Sequence, residues 1–464
     1  MFDNKERVSL QKGDELNLAV TDLNNLGFGV ARAPDGRAVF LAGAVAGDRV
    51  RALIIKVNSG FAVGRVLEVL SPSPDREDGY CTAPAACGGC VYRHLTYARE
   101  LELKRDTVMH AFRKVGLADV RVDDVRTTGQ TKGYRNKAEY PIAEGKDGLY
   151  GGFYAPKTHH VVSTPDCSLQ PPLFGEILGA FCAFYTAKGV HAYDETTGEG
   201  LLRHLYVRMA RGTGECMICP VINGDRLPHE AEFAAEMTRR FPTVTSIVVN
   251  RNTRAGNVVL SKEFYTVWGK PYLEDILCGK RFRIAPGAFY QVNRDAAQLL
   301  YGLAAERTGL CGEGLLLDLY CGAGTIGLSM AERAGEVIGI EISADAVACA
   351  KENMSLNGVQ NASFYCGDAA TAEQLLAGAE RARGKLSPDV VILDPPRKGC
   401  DAALLHFLAE RKVPRIVYVS CAPDTLARDV ARLYALGYTA GNVTPVDLFP
   451  RTGHVESVVC LTRK

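Results

Sequence analysis

The sequence predicts an α/β protein in three parts: a small β-barrel, a central α+β region and a doubly wound parallel sheet. Three observations lead to this fold class. Short apolar runs broken by glycine fill residues 15–70, strand-like runs mix with a helical run over residues 120–282, and apolar strands alternate with helices beyond about Arg283. The length of 464 residues agrees, because one hydrophobic core of ordinary size does not serve so long a chain.

The first part, residues 1–71, is predicted to be a small antiparallel barrel. The runs LNLAVTDL, LGFGVARA, AVFLAG, DRVRALIIKV and GFAVGRVLEVL read as about five strands without a helix. The prolines and charges of SPSPDRED then indicate a linker. The central part, residues 72–282, follows with a charged amphipathic helix over residues 97–117, which could pack on the third part, and one further helical run, EAEFAAEMTRRF.

A cysteine-rich loop opens the central part. Cys81, Cys87 and Cys90 are spaced C-x5-C-G-G-C, and Cys167 in TPDCSLQP is a possible fourth ligand. Three close thiolates and one distant thiolate suit an iron-sulfur cluster. Zinc is the competing interpretation, although structural zinc usually takes two C-x2-C pairs, and free thiols are the third. The later C-x2-C pair in ECMICPVIN reads as the interior of a strand and is assigned no metal.

The third part, residues 283–464, carries the features of a cofactor site. LLLDLYCGAGTIGL is a strand, a glycine-rich turn and a helix, an arrangement that brings a ligand close to backbone amides, although it also fits a tight turn without a ligand. Glu341, Asp368 and Asp394 follow successive strands, and ligands bind at the carboxyl ends of such strands. The order DxxCGxGT, E, D, DPP resembles class I S-adenosylmethionine-dependent methyltransferases. The absence of an extended GxGxxG makes a dinucleotide less expected.

Two further side chains have the character of reacting groups. Cys421 lies just beyond the apolar strand of RIVYVSCAP, at the same rim of the sheet as the predicted cofactor site. Glu456 lies on the last predicted strand, with His454 two residues before it on the same face. A buried structural thiol and a solvated carboxylate are the alternatives. Because a thiol must lose its proton to attack, we expect a positive or hydrogen-bonding group near Cys421.

Four phrases together resemble the RNA uracil-5-methyltransferase family: SCAP with Cys421, LDPPRKG from Leu393, HVES from His454 and PGAFYQVN from Pro286. The resemblance covers essentially the whole chain. It implies a Rossmann-like methyltransferase domain behind an OB-like TRAM barrel and an iron-sulfur domain. It also implies that the Cys421 thiolate adds to carbon 6 of a uracil, that carbon 5 takes the methyl group, and that Glu456 then removes the carbon 5 proton.

The same resemblance assigns the remaining residues of the site. Contacts to S-adenosylmethionine or the target uracil are expected from Gln291, Tyr320, Glu341, Asp394, Asp368 and Thr325. A [4Fe-4S] cluster is expected on Cys81, Cys87, Cys90 and Cys167. Phe289 and Tyr290, beside Gln291, offer an aromatic face to a flipped base or belong to the core.

The RNA partner is also inferred from the resemblance. The barrel resembles a TRAM domain, whose basic face tracks an RNA backbone, and here the candidates are Arg49, Arg51, Lys56 and Arg65, each of which also fits an ordinary solvated position. The segments KGYRNKAEY and GLLRHLYVR interleave basic and aromatic residues that can pair phosphates and stack bases. Barrel and cysteine cluster together favour a single-stranded or flipped uridine in 23S ribosomal RNA over the alternative, tRNA.

Composition limits the remaining possibilities. The 54 basic and 53 acidic residues balance, so any contact to RNA must come from a local patch. No apolar run has the length of a membrane span, and 15 cysteines without a secretion signal indicate a reducing, cytoplasmic setting, with a monomer as the default. Methylation of a base amino group is disfavoured because Arg397 follows DPP in place of an aromatic residue. A noncatalytic RNA-binding protein would not need Cys421 and Glu456.

Overall fold

The computed structural model describes residues 10–24, 26–84, 86–376 and 386–464. The first part is a closed five-stranded barrel of strand order β1-β2-β3-β5-β4. Its strands are β1 (Glu15–Leu23), β2 (Phe28–Arg32), β3 (Ala38–Ala42), β4 (Arg49–Val57) and β5 (Phe61–Ser71). The five predicted strands are confirmed, but the barrel is not wholly antiparallel, because β3 and β5 pair in parallel. Alternate residues such as Val39 and Leu41 fill its core.

The central part is built on a seven-stranded sheet of order β12-β11-β10-β9-β6-β7-β8. Its elements are α1 (Tyr97–Lys114), β6 (Lys137–Gly145), β7 (Gly148–Tyr154), β8 (Val161–Ser163), α2 (Pro172–Ala187), β9 (Leu202–Met209), β10 (Cys216–Ile222), α3 (Glu230–Arg240), β11 (Val244–Arg251) and β12 (Phe264–Gly269). The prediction of one helical run between residues 120 and 282 was wrong, because α2 is a second helix. The exposed face of α2 carries Pro172, Gly179 and Ala183 and one charged residue, Glu176, so it lacks the strongly polar face that reveals a helix in a sequence.

Strand β9 carries the basic and aromatic residues of GLLRHLYVR, and its side chains are buried. Arg203, Tyr206 and Arg208 are at most 4% exposed. Arg203 donates to the carbonyl of Asn252 at 2.7 Å, and Arg208 donates to that of Ala288 at 3.1 Å. The expectation that this segment contacts RNA was therefore wrong. Side chains of β9 are buried on both faces of the sheet, because Leu205 and Val207 belong to one core cluster and Tyr206 to another.

The third part is a doubly wound sheet, as predicted, with strand order β17-β16-β15-β18-β19-β21-β20. A hairpin of β13 (Leu273–Leu277) and β14 (Lys280–Ile284) precedes it. The other elements are α4 (Arg294–Thr308), β15 (Leu315–Leu319), α5 (Thr325–Met330), β16 (Glu336–Glu341), α6 (Ala344–Leu356), β17 (Ala362–Cys366), β18 (Val390–Leu393), α7 (Ala402–Glu410), β19 (Arg415–Ser420), α8 (Pro423–Ala435), β20 (Tyr438–Val446) and β21 (Glu456–Arg463), with 3₁₀ turns at Ala331–Arg333 and Ala369–Thr371. The first five strands of the order are parallel, and β21 and β20 are antiparallel.

Both faces of this sheet are buried, which explains its nearly continuous apolar strands. Leu317 and Val391 belong to the core on one face, where Phe112 of α1 packs with α7 and α8. Leu316 and Ile392 belong to the core on the other face, together with α4, α6 and the hairpin. Helix α1 thus packs on the third part of the chain and brings the cysteine loop that precedes it close to the carboxyl edge of the sheet. Within the described ranges, no helix has the length and apolarity that crossing a membrane requires.

Candidate active site

The glycine turn after β15 forms the first wall of the site. Gly324 has a φ of +76°, and a Cβ atom there would lie 2.9 Å from the Phe364 ring, so the turn requires glycine. Glu341, at the end of β16, accepts hydrogen bonds from the N–H of Gly322 (3.1 Å) and of Ser343 (2.9 Å). The carboxylate therefore lies directly beside the turn, where a ligand on the glycine backbone would reach it.

Tyr301 of α4 connects two of the predicted site residues and was not found from the sequence. Its buried hydroxyl lies 3.4 Å from Oγ1 of Thr325 and also hydrogen-bonds the side chain of Gln291. The charge of Asp394 acts on the same hydroxyl, so Gln291, Thr325 and Asp394 surround one tyrosine. An apolar helix position facing the sheet gave no reason to single out Tyr301.

Asp318, in the middle of the sheet, has a carboxylate oxygen without a hydrogen-bond partner in the described part of the chain. Its side chain is fully buried, and burial raises the pKa of the carboxyl to about 7. Oδ2 accepts the Gly327 N–H at 2.9 Å, whereas Oδ1 has no hydrogen-bond partner among the described residues. Asp318 thus adds a polar group beneath the glycine turn.

Tyr320 and Asp368 border the opposite side of the turn. Tyr320 has a left-handed backbone with a φ of +66°, which directs its side chain to a hydrogen bond with Cys400. Asp368 is exposed, accepts the Ala370 N–H at 2.9 Å and acts electrostatically on Tyr320. The six predicted cofactor or base contacts therefore lie along one edge of the sheet.

The predicted reacting groups lie at the ends of three neighbouring strands. Asp394 follows β18, Cys421 follows β19 and Glu456 opens β21. Burial raises the pKa of the Cys421 thiol, and the charges of Glu456 and Asp394 raise it further. Burial and the charge of Asp394 also raise the pKa of Glu456, which is 5% exposed, to about 8. Burial raises the pKa of Asp394 to about 7.

Arg397 provides the positive charge that we expected near the Cys421 thiol. Its charge lowers the pKa of both Cys421 and Glu456, against the effect of burial. Its Nη2 lies 3.4 Å from Nδ1 of His454. Burial and the Arg397 charge lower the pKa of His454, which favours the neutral ring. Arg397 was missed as a functional residue, although its place three positions after Asp394 put it at the same edge of the sheet.

The loop that carries Arg397 is held by the helix that follows Cys421. Thr425 donates from Oγ1 to the Arg397 carbonyl at 3.2 Å, and Arg428 donates to the Lys398 carbonyl at 2.8 Å. Helix α8 therefore fixes both the thiol before it and the guanidinium beside it.

The two aromatic residues before Gln291 differ in their environment. Phe289 is 81% exposed, whereas Tyr290 is 5% exposed and donates its hydroxyl to Asp275 at 3.2 Å. Only Phe289 is therefore free to offer its ring to a base, and Tyr290 belongs to the core.

The four cysteines of the predicted cluster act on one another electrostatically. Burial, followed by the charges of Cys167, Cys81 and Cys87, raises the pKa of Cys90 to about 12, and all four are free thiols. Over the part of the chain that is described, no three His, Cys, Asp or Glu side chains form a group arranged to hold a metal ion. The chemistry of the donor set nonetheless fits a four-thiolate cluster, since four thiols lie within electrostatic range and none is used in a disulfide.

Three of the four basic residues proposed for RNA contact on the barrel are exposed, and the fourth is paired with carboxylates. Arg49, Lys56 and Arg65 are exposed. Arg51 instead pairs with Glu15 at 3.0 Å and with Glu68 at 3.1 Å, which neutralises much of its charge.

Comparison with protein families gives two matches along the chain. The tRNA (uracil-5-)-methyltransferase family matches residues 270–464, which include every predicted reacting and cofactor residue. The TRAM domain matches residues 9–67, which form the barrel.

Full-length relatives agree with these matches. An uncharacterized RNA methyltransferase of Clostridium acetobutylicum is 36% identical over 459 residues, covering 98% of each chain. One from Halalkalibacterium halodurans is 37% identical and covers 99% of each chain. Among solved structures, a Pyrococcus abyssi tRNA (uracil-54, C5)-methyltransferase in complex with S-adenosyl-L-homocysteine is similar with a TM-score of 0.77 and 27% identity, covering 96% of this chain and 100% of that one.

Proposed function

The chain belongs to the RNA uracil-5-methyltransferase family, and we propose that it methylates carbon 5 of a uridine in 23S ribosomal RNA. It is an S-adenosylmethionine-dependent RNA methyltransferase with a TRAM domain. One observation carries the proposed chemistry: Asp394 and Cys421 follow two neighbouring strands, Glu456 begins the next, and the three act on one another electrostatically beside the cation Arg397.

The cofactor is proposed to lie along the edge of the sheet. Glu341 would accept hydrogen bonds from the ribose hydroxyls, as an acidic residue at this position does in nucleotide sites. The exposed side chain of Ile342, next in the chain, offers an apolar surface for the adenine. Gln291 and Thr325, held by Tyr301, and the pair Tyr320 and Asp368 would complete the enclosure. When bound, S-adenosylmethionine supplies the electrophilic methyl group.

The first chemical step is proposed to be attack by Cys421. Its thiolate Sγ adds to carbon 6 of the uracil, which converts the ring to an enolate and makes carbon 5 nucleophilic. Carbon 5 then bonds to the methyl carbon as the bond from that carbon to sulfur breaks. Arg397 would favour the thiolate before the attack, since its charge already lowers the pKa of Cys421. Asp394, partly buried beside both groups, would face the polar edge of the uracil ring.

The second step is proposed to be proton removal by Glu456. Its carboxylate takes the proton from carbon 5, the electron pair of that C–H bond reforms the ring double bond, and the bond between carbon 6 and Sγ breaks. Cys421 leaves as a thiolate, and the methylated uridine is released. Phe289, exposed beside Gln291, would stack on a base of the unpaired segment that carries the target.

The choice of RNA is supported by the first two parts of the chain. A barrel and a four-cysteine loop precede the catalytic part, and this combination favours 23S ribosomal RNA within the family. A tRNA substrate is the second candidate, because the Pyrococcus abyssi enzyme named for tRNA aligns with 96% of this chain. That alignment must include much of the barrel, so the barrel by itself does not separate the two classes of RNA.

We further propose that Cys81, Cys87, Cys90 and Cys167 hold a [4Fe-4S] cluster, which makes the central part an iron-sulfur domain. Support comes from the electrostatic coupling of all four thiols. Protein purified without oxygen should contain about four iron and four sulfide per chain and absorb visible light. Replacement of Cys90 by serine should remove that absorption. Stoichiometric zinc without sulfide would contradict the assignment.

The function is tested by supplying both RNA classes to the purified protein. Transcripts of 23S ribosomal RNA fragments and of tRNA, labelled with tritium at uracil carbon 5, would be incubated with S-adenosylmethionine. Methylation at carbon 5 releases the tritium to water, and mass spectrometry of the digested RNA locates the product. Release from the ribosomal transcripts alone is the expected result. Release from tRNA alone would establish the second candidate, and methylation without tritium release would refute the carbon 5 chemistry.

A further inference from the structure

The segment of residues 447–452 connects β20 to β21 and leads to His454 and Glu456. Most hydrogen bonds that reach this segment from elsewhere come from the first half of the chain. Lys104 of α1 donates to the Asp447 carboxylate at 2.7 Å and to the Phe449 carbonyl at 3.1 Å. Lys104 and Asp447 are each 1% exposed, so these bonds are shielded from water.

Arg451 is the most constrained residue of this segment. It is 2% exposed and has a left-handed backbone with a φ of +70°, which a residue other than glycine keeps only where its surroundings demand it. Its N–H donates to Glu100 at 2.7 Å. Its guanidinium donates to the Leu95 carbonyl at 2.5 Å and to the Glu77 carboxylate at 2.8 Å. All three partners precede the central sheet in the chain.

The cysteine loop makes two direct contacts with Arg451. The ring of Tyr80, the residue before Cys81, has its centre 4.1 Å from the guanidinium carbon, a close cation–π contact. The N–H of Tyr92, two residues after Cys90, donates to the Arg451 carbonyl at 3.2 Å. Both ends of the cysteine loop therefore contact one arginine.

The distant fourth cysteine is connected to the same contact. Ser168, which follows Cys167, donates to the Tyr80 carbonyl at 3.1 Å. Tyr134 donates its hydroxyl to the Pro450 carbonyl at 3.0 Å, beside Arg451 in the chain. Residues near Cys81, Cys90 and Cys167 in the chain thus meet at Tyr80 and Arg451.

Contacts continue from this segment to His454, two residues before the proposed base. Thr452 accepts the His454 N–H at 3.3 Å, and the rings of Phe449 and His454 meet edge to face with centres 6.0 Å apart. His454 in turn lies 3.4 Å from Arg397, and Glu456 follows two residues later.

We infer that Arg451 is a positioning residue for His454 and Glu456, and that the cysteine loop acts on catalysis through it. The inference rests on the proposed function. It assigns the cysteine loop to the proton-removal step, whichever group its thiols hold. Loss of order in the loop would move the ring of Tyr80, release the guanidinium of Arg451 and displace the base.

The test compares Tyr80→Leu with Tyr80→Phe in the full-length protein, purified without oxygen. The phenylalanine variant keeps the aromatic face and loses only the hydroxyl bond to Thr131. Tyr272→Leu is the matched control, because it removes a similar arginine contact, 4.8 Å from Arg283, on the hairpin. Each protein is measured for tritium release from carbon 5, for the fraction of RNA in a covalent adduct on a denaturing gel, and for binding of S-adenosylhomocysteine.

Tyr80→Leu is expected to lower kcat at least tenfold and to raise the steady-state adduct fraction, with kcat/KM for RNA and the affinity for S-adenosylhomocysteine within about twofold of wild type, because the slowed step follows methyl transfer. Tyr80→Phe should restore most of kcat. If Tyr80→Leu does not fold, Glu77→Gln, which weakens the hold on Arg451 from outside the loop, should show the same accumulation of adduct to a smaller degree.

Two results would overturn the inference: an increased KM with unchanged kcat, which would assign the loop to RNA binding, or a lower melting temperature with normal turnover. Failure of the wild-type protein to release tritium would instead refute the proposed function.

Discussion

Raising the pH from 7 to 9 is expected to accelerate breakdown of the covalent RNA adduct, because Glu456 must be ionised to remove the carbon 5 proton. The pKa of this carboxyl is raised to about 8 by its burial and by Asp394. About one tenth of the groups are then ionised at pH 7, about half at pH 8 and about nine tenths at pH 9. The elimination rate should increase about fivefold from pH 7 to 8 and less than twofold from pH 8 to 9.

The assay forms the adduct at pH 7 under single-turnover conditions and then changes the pH. Samples quenched in denaturant report the remaining adduct on a gel, and tritium in the solvent reports proton removal from carbon 5. The cofactor product is by then S-adenosylhomocysteine, which carries no sulfonium charge to lower the pKa of Glu456. The pH dependence of adduct decay therefore reflects the carboxyl in its protein environment.

Glu456→Gln is the matched control, because the amide has nearly the same shape and does not ionise. Its adduct should persist at every pH. Its melting temperature should exceed that of wild type by a margin that grows from pH 6 to about pH 8 and then levels off. The sign follows from the raised pKa: the neutral buried carboxyl favours folding, and this contribution is lost as the pH rises from the ordinary pKa of about 4.5 to the raised pKa of about 8. Adduct decay that is unchanged between pH 6.5 and 9 would refute the assignment of Glu456 as the base.

Three other substitutions test the groups around Glu456. Arg397→Met should shift the pH dependence of adduct formation and of adduct decay to higher pH, since Arg397 lowers the pKa of Cys421 and of Glu456; an unshifted profile in stopped-flow and quench experiments would exclude that role. Cys421→Ala should abolish methylation and the adduct while calorimetry still detects S-adenosylhomocysteine binding, and residual methylation would contradict covalent catalysis. Lys104→Met should lower the free energy of unfolding by about 3–5 kcal/mol in denaturant titrations, because it removes the buried cation that joins the Glu100 and Asp447 carboxylates. A loss below about 1 kcal/mol would contradict that expectation.

The fold was predictable where buried and exposed residues alternate along a strand, and where apolar strands lie between clear helices. Each barrel strand shows such alternation, and the apolar strands of the third part stand between clear helices. Helix α2 was missed because its exposed face carries mostly small residues in place of polar ones. The prediction that β9 contacts RNA was wrong because the sequence does not distinguish two kinds of arginine. A buried arginine that donates to loop carbonyls looks the same as a surface arginine that binds phosphate.

The site was predictable where residues stand at strand ends, since topology alone brings strand ends together. Asp394, Cys421 and Glu456 meet in this way. The roles of Tyr301 and Arg451 could not be predicted from strand ends, because these roles depend on contacts with residues elsewhere in the chain. The assignment of the cysteines to a cluster and of each residue to its chemical role stays a prediction until the experiments above are done.

The mutual repulsion of Cys421 and Glu456 suggests an order for the ionisations in the proposed cycle. An ionised Glu456 raises the pKa of Cys421, and because the interaction is reciprocal, a thiolate raises the pKa of Glu456. The attacking thiolate is therefore favoured while Glu456 holds its proton. Once Sγ is bonded to carbon 6, its negative charge is gone, and Glu456 ionises more easily at the step that needs a base. Elimination restores the thiolate as Glu456 becomes protonated, so each group is charged when the other is neutral, and Arg397 lies beside both.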